Sequence, residues 1–400
     1  MINRFRSLAR GSLGTVRLYP KGRTEEFMHI RRITTIGLAF VLAASTSSVL
    51  LAQRGGGRGG GAPNVAAQRE EERRNRNQQA DVTAINQLLT QVTTAQPVSP
   101  TSTATDETQG EVKVSWEMNH FIKGAGGAAY VPFTLTIDRR ALSSEKVVVT
   151  VRAVNKNAPP APAAPAAPEG RGNNRNQPAA APAPSYAWND FDFFSLGNDG
   201  KISRAMMLPA GDYDLFVVAR DQSTGDSKQM IKSGLLRKKI SVPDFTKADL
   251  MTSSVMLGAI DELASPLPAN QQRENPYTFG QMKVTPTVDG KFAKTGELAL
   301  IFWIYGAGTD AITRRPNLTV DYSFYQKNAD GEKYFNKTAP QELNATTLPP
   351  EMDANSGLPG VMSVPMMVFP AGDYRLEIKV SDKATGKTAT LSQTFSVNPS

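Results

Sequence analysis

The chain has 400 residues, 40% of them hydrophobic, and carries a formal net charge of +8 without a single cysteine. The lack of cysteine excludes disulfide bonds, and with only two histidines it leaves no ligand set for a zinc site built from Cys and His. The length predicts two or three domains, each large enough for a hydrophobic core of its own.

Most of the excess positive charge lies in the first 52 residues. They contain eight Lys or Arg and two Glu, so the rest of the chain holds 37 basic and 35 acidic residues, a net charge of +2. Without a basic face, the counterion release that drives nucleic-acid binding is missing. We therefore expect no nucleic-acid partner.

Residues 1–52 have the features of a leader with a secretory signal peptide. A basic stretch at 29–32 precedes an apolar run at 36–44 and then small residues, which is the order of such a peptide. We expect Met28 to be the true start and the protein to be exported, either to the periplasm or out of the cell. No later stretch reaches about 18 apolar residues, so no transmembrane segment is predicted after leader removal. An uncleaved membrane anchor is the alternative.

Residues 53–109 are predicted to form a flexible arm with one short helix. Gly and Arg dominate 54–61, as is typical of a flexible tether, and 69–79 is polar enough to be either helical or disordered. Apolar spacing predicts an amphipathic helix from about Asp81 to Thr93. The apolar positions of this helix are Val82, Ile85, Leu88, Leu89 and Val92. Its apolar stripe could dock on the first domain or on a partner, and docking in cis is the commoner outcome.

Residues 110–243 are predicted to form a first β-sandwich. Apolar and polar residues alternate at 112–116, and the continuous apolar run at 147–154 suits a buried strand. The segment 157–185 is almost wholly Ala, Pro, Asn and Gly, and it cannot bury enough apolar surface to fold. We expect it to be an extended insertion at a loop tip.

The densest aromatic cluster of the chain follows this insertion. It comprises Tyr186, Trp188, Phe191, Phe193 and Phe194. Aromatic residues in a sandwich strand usually pack in the core or between strands. Trp188, Phe191 and Phe193 do not share one face of a strand, so a subset could instead be exposed and stack on carbohydrate. Tyr186, Trp188 and Phe191 are the candidate ligand-binding residues.

One phrase occurs twice in the chain. Met-Met-Leu-Pro-Ala-Gly-Asp-Tyr at 206–213 recurs as Met-Met-Val-Phe-Pro-Ala-Gly-Asp-Tyr at 366–374. In both copies Pro, Gly and Asp indicate a turn, and the residues after it begin a half-buried strand. The candidate turn and corner residues are Pro209, Gly211, Tyr213, Pro370, Gly372 and Tyr374.

The second copy belongs to a second predicted β-sandwich, at 244–400. Residues 298–305 form its most apolar strand and are expected to be central, whereas 318–325 alternate and predict one buried face. The loop at 339–360 is long for a compact domain, and such loops are often functional or disordered.

No catalytic constellation emerges from these patterns. A Ser-His-Asp triad would depend on His120, because His29 leaves with the leader, and no Gly-x-Ser-x-Gly motif accompanies it. A lone histidine at a strand end is more often a surface or hydrogen-bonded residue. Asp190, Asp192 and Asp199 lack the spacing of a calcium loop. We predict no catalytic residue, no metal site and no cofactor.

In each copy of the repeated phrase, a tyrosine begins the strand that follows the turn. It resembles the tyrosine corner of immunoglobulin-type sandwiches, where the phenol bonds the backbone of the preceding corner. With the repeat and the leader, residues 110–398 resemble the tandem immunoglobulin-like β-sandwich regions of exported bacterial proteins. The resemblance implies an all-β fold of two tandem antiparallel sandwiches and export, and it implies no active-site residue.

These observations predict an exported, non-enzymatic binding or scaffold protein of the cell envelope or extracellular space. Its partner would be an envelope protein or a glycan. A carbohydrate-binding accessory protein that uses exposed aromatics is the first alternative. A glycosidase-type enzyme is the second, because sandwiches can host paired carboxylates, although no particular pair stands out.

Overall fold

The computed structural model describes residues 65–94, 106–156, 186–350, 352 and 356–399. The predictions about the leader, the Gly/Arg-rich stretch and the Pro/Ala-rich insertion therefore lie outside the described residues. Within the described part strands predominate, and the predicted all-β class is confirmed. No helix in that part is long and apolar enough to cross a membrane.

The chain divides into two compact units. Of the described residues, the first unit comprises 65–117 and 133–244, and the second comprises 118–132 and 245–399. The division at 244 coincides with the predicted start of the second domain. The segment Met118–Pro132 groups with the second unit, although the sequence places it within the first predicted domain.

The described residues up to 244 contain helix α1 and nine strands. These are α1 (Val65–Thr94), β1 (Asp106–Gly110), β2 (Val114–Asn119), β3 (Ile122–Lys123), β4 (Ala129–Ile137), β5 (Lys146–Asn155), β6 (Trp188–Ser195), β7 (Lys201–Leu208), β8 (Gly211–Asp221) and β9 (Ser233–Val242). Sheet A has the order β1-β9-β8-β5-β6. Sheet B has the order β2-β4-β3, with β7 also paired to β4.

The described residues after 244 contain twelve strands and the short helix α2 (Ala269–Gln272). The strands are β10 (Met251–Thr252), β11 (Met256–Glu262), β12 (Thr278–Phe279), β13 (Met282–Pro286), β14 (Lys291–Ala293), β15 (Glu297–Tyr305), β16 (Leu318–Asn328), β17 (Gly331–Lys337), β18 (Gln341–Leu343), β19 (Leu358–Pro365), β20 (Gly372–Asp382) and β21 (Thr388–Asn398). Sheet C has the order β10-β15-β11-β13-β12, with β19 on β15. Sheet D has the order β14-β21-β20-β16-β17, with β18 on β16. The pair β14 and β21 is parallel, which differs from the purely antiparallel expectation.

Strands β15 and β16 show how the apolar pattern sets burial. Every residue of β15 from Leu298 to Tyr305 is buried, as expected for an apolar strand in the interior of sheet C. β16 alternates buried and half-buried residues from Leu318 to Phe324, so only one of its faces points inward. Buried side chains of sheets C and D, including Phe302 and Tyr322, join in one hydrophobic core.

Helix α1 is much longer than the predicted short helix. It begins at Val65 instead of about Asp81 and ends at Thr94. Its first half lacks an apolar stripe, and that absence hides it from a periodicity argument. It is nevertheless rich in helix formers, contains neither Gly nor Pro, and places Glu70 four residues before Arg74.

The two units repeat the same strand pairing. β8 lies between β5 and β9 in sheet A, just as β20 lies between β16 and β21 in sheet D. β6 then extends the first sheet beyond β5, as β17 extends the second beyond β16. β7 pairs with β4 as β19 pairs with β15. The repeated phrase is therefore part of a repeated architecture.

Candidate functional site

The glycine of the repeated turn has the same backbone conformation in both units. Gly211 has a φ of +143° and Gly372 a φ of +146°. A side chain is strongly disfavoured in this region, which glycine enters freely because it has no Cβ. Each glycine thus allows the chain to turn into the strand that follows.

The tyrosine of the repeated phrase is a structural residue in both units. The hydroxyl of Tyr213 donates to the carbonyl oxygen of Pro209 at 2.9 Å, and that of Tyr374 donates to Pro370 at 2.8 Å. Both rings are fully buried, and burial raises the pKa of Tyr374 to about 12. The phenol groups satisfy the corner backbone and leave no surface for a ligand.

Two of the candidate aromatic residues, Trp188 and Phe191, lie on opposite faces of β6, and Tyr186 precedes the strand. The guanidinium of Arg152 stacks on the Tyr186 ring with 4.1 Å between its central carbon and the ring centroid. Phe191 packs with Phe193 against the hydrophobic cluster beneath α1. Trp188 is half-buried and, three residues before Phe191 in the strand, lies on the opposite face. The three candidates do not form one flat platform, and ligand binding by them stays a prediction.

Helix α1 covers one face of sheet A, which we term the helix face. Ile85 and Leu89 are fully buried there, with Leu88 and Val92 packed alongside. The sheet residues beneath them are Val148, Phe216, Val218 and Leu235. This arrangement explains why the apolar run of β5 is buried on both sides. The predicted apolar stripe docks in cis.

Two polar residues of α1 fix its position on this face. The carboxylate of Asp81 is buried and accepts a hydrogen bond from the Ser223 amide at 2.9 Å. It also forms an ion pair with Arg220 at 3.4 Å. Asn86 accepts a bond from the buried guanidinium of Arg152 at 2.6 Å. Burial lowers the pKa of Arg152, and the nearby Tyr186 raises it in part.

The corresponding face of sheet D is polar. Aligning the units on Tyr213 and Tyr374, and on the register of β5 with β8 and of β16 with β20, identifies the equivalent positions. Where the helix face has Val148, Phe216, Val218 and Leu235, sheet D has Thr319, Glu377, Lys379 and Thr390. This face of the second unit therefore lacks the apolar surface on which a helix such as α1 could pack.

Three connections meet at one end of the second unit and form what we term the loop surface. It comprises residues 306–317, 344–350 and 383–387. The Arg315 guanidinium joins the first two, donating to the carbonyl oxygens of Pro349 at 2.6 Å and Pro350 at 2.8 Å. The Lys383 amide joins the third to the first through the carbonyl oxygen of Asn317 at 2.9 Å.

A buried carboxylate also ties the loop surface together. Asp382 accepts hydrogen bonds from the amides of Gly308 at 2.7 Å and Ala384 at 2.9 Å and from the hydroxyl of Thr385 at 2.8 Å. Burial raises the pKa of this carboxyl, but the hydrogen bonds together outweigh it and lower the pKa overall. The equivalent Asp221 binds the amides of Ser143 and Lys232 in the first unit.

The connection 306–317 presents an exposed apolar side chain on an ordered turn. Asp310 accepts bonds from the amides of Ile312 at 3.0 Å and Thr313 at 2.8 Å. The bonds from Thr313 and Ile312 lower the pKa of Asp310. The Ile312 side chain is 91% exposed, and Arg314 has a φ of +54°, which is uncommon for a residue other than glycine.

Most cations of the loop surface have partners. Lys383 pairs with Glu342 and Lys387 with Asp249, each at 2.8 Å, while Arg315 is occupied by backbone carbonyls. The exposed guanidinium of Arg314 has no ion-pair partner among the described residues.

Sequence reasoning singled out only part of this surface. It identified the long loop at 339–360, whose described part supplies 344–350, but not the connection 306–317. A comparison of the two units would have revealed the connection 306–317, because the equivalent connection in the first unit, 138–145, is shorter. Copy-specific lengthening of a loop is a common mark of a binding face in repeated units.

His120 differs from the expected surface or hydrogen-bonded residue. Its Nδ1 atom is buried without a hydrogen-bond partner in the described part of the chain. The ring meets Tyr277 edge-on, with 5.7 Å between centroids. Burial lowers the pKa of His120 from 6.5 to about 4, so the folded protein holds the neutral imidazole.

The His120 environment predicts an acid-sensitive fold. Because the pKa is lower in the folded than in the unfolded chain, stability is lost as the pH falls from about 6.5 toward 4. We expect the free energy of unfolding to be about 2 kcal/mol lower at pH 5 than at pH 7 from this residue. Urea unfolding of wild type and His120→Gln at both pH values measures it. An equal pH dependence in the two proteins would contradict the assignment.

Ser143 and Lys387, two side chains with catalytic potential, have structural contacts. Ser143 donates its amide to Asp221 before β5, and Lys387 lies in the turn between β20 and β21, paired with Asp249. Across the residues that the structure describes, no group of three or more His, Asp or Glu is arranged to hold a metal ion.

No protein-family model matches the chain. No curated protein matches it. Among solved structures, a DUF4785 family protein from Legionella pneumophila aligns with 74% of this chain and 58% of its own, at 9% identity and a TM-score of 0.23. Escherichia coli alpha-2-macroglobulin activated by porcine elastase aligns with 73% of this chain and 22% of its own, at 10% identity and a TM-score of 0.19. The chain thus spans less than two thirds of both, and these scores assign neither fold family nor function.

Proposed function

We propose that the protein is an exported, non-enzymatic binding protein of the cell envelope or extracellular space, and that the loop surface is its binding part. The observation that carries this proposal is the connection 306–317, an ordered loop that presents Ile312 to solvent. Binding residues are disproportionately found on loops that a rigid scaffold positions. Here the two-sheet core of the second unit is that scaffold.

The strand arrangement supports an immunoglobulin-like assignment of both units. A sheet in which β20 lies between β16 and β21, extended by β17, has the strand order of the immunoglobulin sheet that carries strands C, F and G. β19, paired with β15, takes the place of strand E in the other sheet. The tyrosine bonds to Pro209 and Pro370 match the corner of that fold. In antibody variable domains, loops at one end of such a sandwich bind the ligand.

The start of α1 supports a spacer role for the region before the sandwiches. Residues 66–76 are exposed in every turn of the helix and carry charges of both signs. Such a helix is suited to solvent rather than to a protein core. In the proposed arrangement, residues 53–80 hold the two units away from the point of attachment.

A loop exchange tests the proposed function. The full chain and a variant in which 306–317 is replaced by the shorter 138–145 are immobilised and exposed to an envelope fraction. We expect a partner to be recovered by the wild type and lost from the variant. Circular dichroism and thermal unfolding serve as the folding control. Recovery of nothing above background, or equal recovery by a folded variant, would contradict the proposal.

Carbohydrate binding through Tyr186, Trp188 and Phe191 and a glycosidase activity both stay predictions. Neither gains support from a specific contact, because Tyr186 stacks with Arg152 and Phe191 packs against the cluster beneath α1. A glycan-binding screen and a glycosidase assay test them separately from the loop exchange.

A further inference from the structure

We infer that the partner of the loop surface is a protein with an apolar pocket rimmed by carboxylates, and that Ile312 fills this pocket while Arg314 pairs with the rim. This inference rests on the proposed function and specifies the chemistry of its ligand. It starts from the two side chains that stand out at the tip of the connection 306–317.

Ile312 has the properties of an interface anchor. Its side chain is 91% exposed, the highest value among the exposed large apolar residues of the described chain. A single exposed apolar residue is ordinary on a protein surface, so exposure alone does not mark an interface. What distinguishes Ile312 is the closed turn that carries it. The amides of Ile312 and Thr313 donate to the Asp310 carboxylate, and the Asp310 amide donates to the carbonyl oxygen of Arg315 at 2.9 Å. A preorganised anchor loses little conformational entropy on binding, so more of its contact energy appears as affinity.

The backbone of Arg314 has a strained conformation that a glycine at this position would adopt without strain. Its φ of +54° lies in the left-handed region, where glycine would be free of strain. The bond from the Arg314 amide to the Asp310 carbonyl at 2.9 Å helps to hold this conformation. Strain of this kind persists only where the surroundings enforce it, and it is often found at binding sites. In this inference, the strained backbone is retained because it places the guanidinium of Arg314 next to Ile312.

The charges of the loop surface indicate which charge the partner should carry. Lys383 and Lys387 are paired with Glu342 and Asp249 next to the surface, and the half-buried Arg315 donates to backbone carbonyls. Among the described residues of the loop surface, Arg314 is therefore the exposed cation that is left without a partner. A guanidinium binds a carboxylate in a fork geometry that also fixes direction. An acidic rim around the apolar pocket therefore complements the tip.

A membrane surface fits the same tip poorly. Stable membrane attachment requires two strong signals, such as two lipid chains or one chain with a polybasic patch. Anionic lipids are recognised by clusters of four or more basic residues. One isoleucine and one unpaired arginine provide neither, whereas a protein interface can concentrate its affinity in a few anchors.

Site-specific photo-cross-linking in the full chain tests the contact. Benzoylphenylalanine is placed at position 312 and, as a matched control, at Met230, which is 74% exposed in the first unit. In cells that produce the protein natively, we expect one discrete protein adduct from position 312 and none of the same mass from position 230. Sequencing the cross-linked peptide is expected to reveal neighbouring Asp or Glu residues. Identical adducts from both positions, or none from either, would overturn the inference.

Affinity measurements with the captured partner separate binding from folding. We expect Ile312→Ala to weaken binding about 30-fold, as for a central anchor. Arg314→Gly is the informative variant, because removing the left-handed strain should raise the unfolding midpoint while binding falls at least about tenfold. Met230→Ala should leave affinity unchanged. Full affinity of a folded Arg314→Gly protein would overturn the inference.

The outcomes also separate this inference from the proposed function. If the loop exchange abolishes capture but Ile312→Ala and Arg314→Gly do not weaken it, the loop surface binds by other residues and only the inference fails. Flotation with phosphatidylglycerol vesicles covers the membrane alternative. Vesicle binding by the wild type that is lost in Ile312→Ala would replace the protein partner with a lipid surface.

Discussion

Leu89→Ala is expected to lower the free energy of unfolding of the first unit by about 3 kcal/mol, as large-to-small substitutions do in a packed core. Leu89 is fully buried between α1 and the helix face, in contact with the cluster that includes Phe216 and Val218. The change leaves a cavity under a helix that has few other apolar contacts. Urea unfolding measures the loss, and amide exchange in α1 should become faster.

Gln87→Ala is the matched control for Leu89→Ala. Gln87 is exposed on the same turn of α1, so its replacement should change stability by less than about 0.5 kcal/mol. If Leu89→Ala behaves like this control, or if α1 amides already exchange freely in the wild type, the docking of α1 on sheet A is refuted.

Asp382→Ala is expected to be still more damaging, with a loss of about 4 kcal/mol. The substitution leaves the amides of Gly308 and Ala384 and the hydroxyl of Thr385 without their acceptor, and each unsatisfied buried group costs roughly 1–3 kcal/mol, partly recovered by water. Thermal and urea unfolding measure the loss. Asp373→Ala, at an exposed position of the same strand, should be close to neutral.

The pH dependence of Asp382→Asn provides an independent check. The folded pKa of Asp382 is lowered, so its contribution to stability is complete above the unfolded value of about 3.9 and is lost as the pH falls through the folded value. We expect the stability difference between wild type and Asp382→Asn to be large at pH 7 and to shrink at pH 3. A difference that is constant over this range would rule out a stabilising carboxylate at this position.

The sequence predicts those features that depend on local pattern. The alternation at 318–325 is sufficient to define one buried face, and the apolar run at 298–305 to identify an interior strand. The repeated phrase predicts two similar units, because turn chemistry at Gly211 and Gly372 is a property of a few adjacent residues.

Features that depend on contacts between distant segments are not predictable in this way. The extent of α1 was missed because its first half has no apolar period, although its composition favours a helix. The grouping of Met118–Pro132 with the second unit depends on bonds such as that from the Phe121 amide to the Ser254 hydroxyl, 2.9 Å long, which no local pattern reports. The loop surface likewise depends on Arg315 reaching the backbone of Pro349.

The position of α1 before the strands that the structure describes has a consequence for biosynthesis. Its stripe of Ile85 and Leu89 leaves the ribosome first, whereas Leu235 at the far side of its docking face is added only with β9. During that interval the stripe and the incomplete sheet are both uncovered, and nascent chains with such surfaces are prone to aggregate. A truncated chain that ends before β9 would therefore carry the helix with an incomplete docking face, and one that begins after Thr94 would expose the whole apolar face of the sheet.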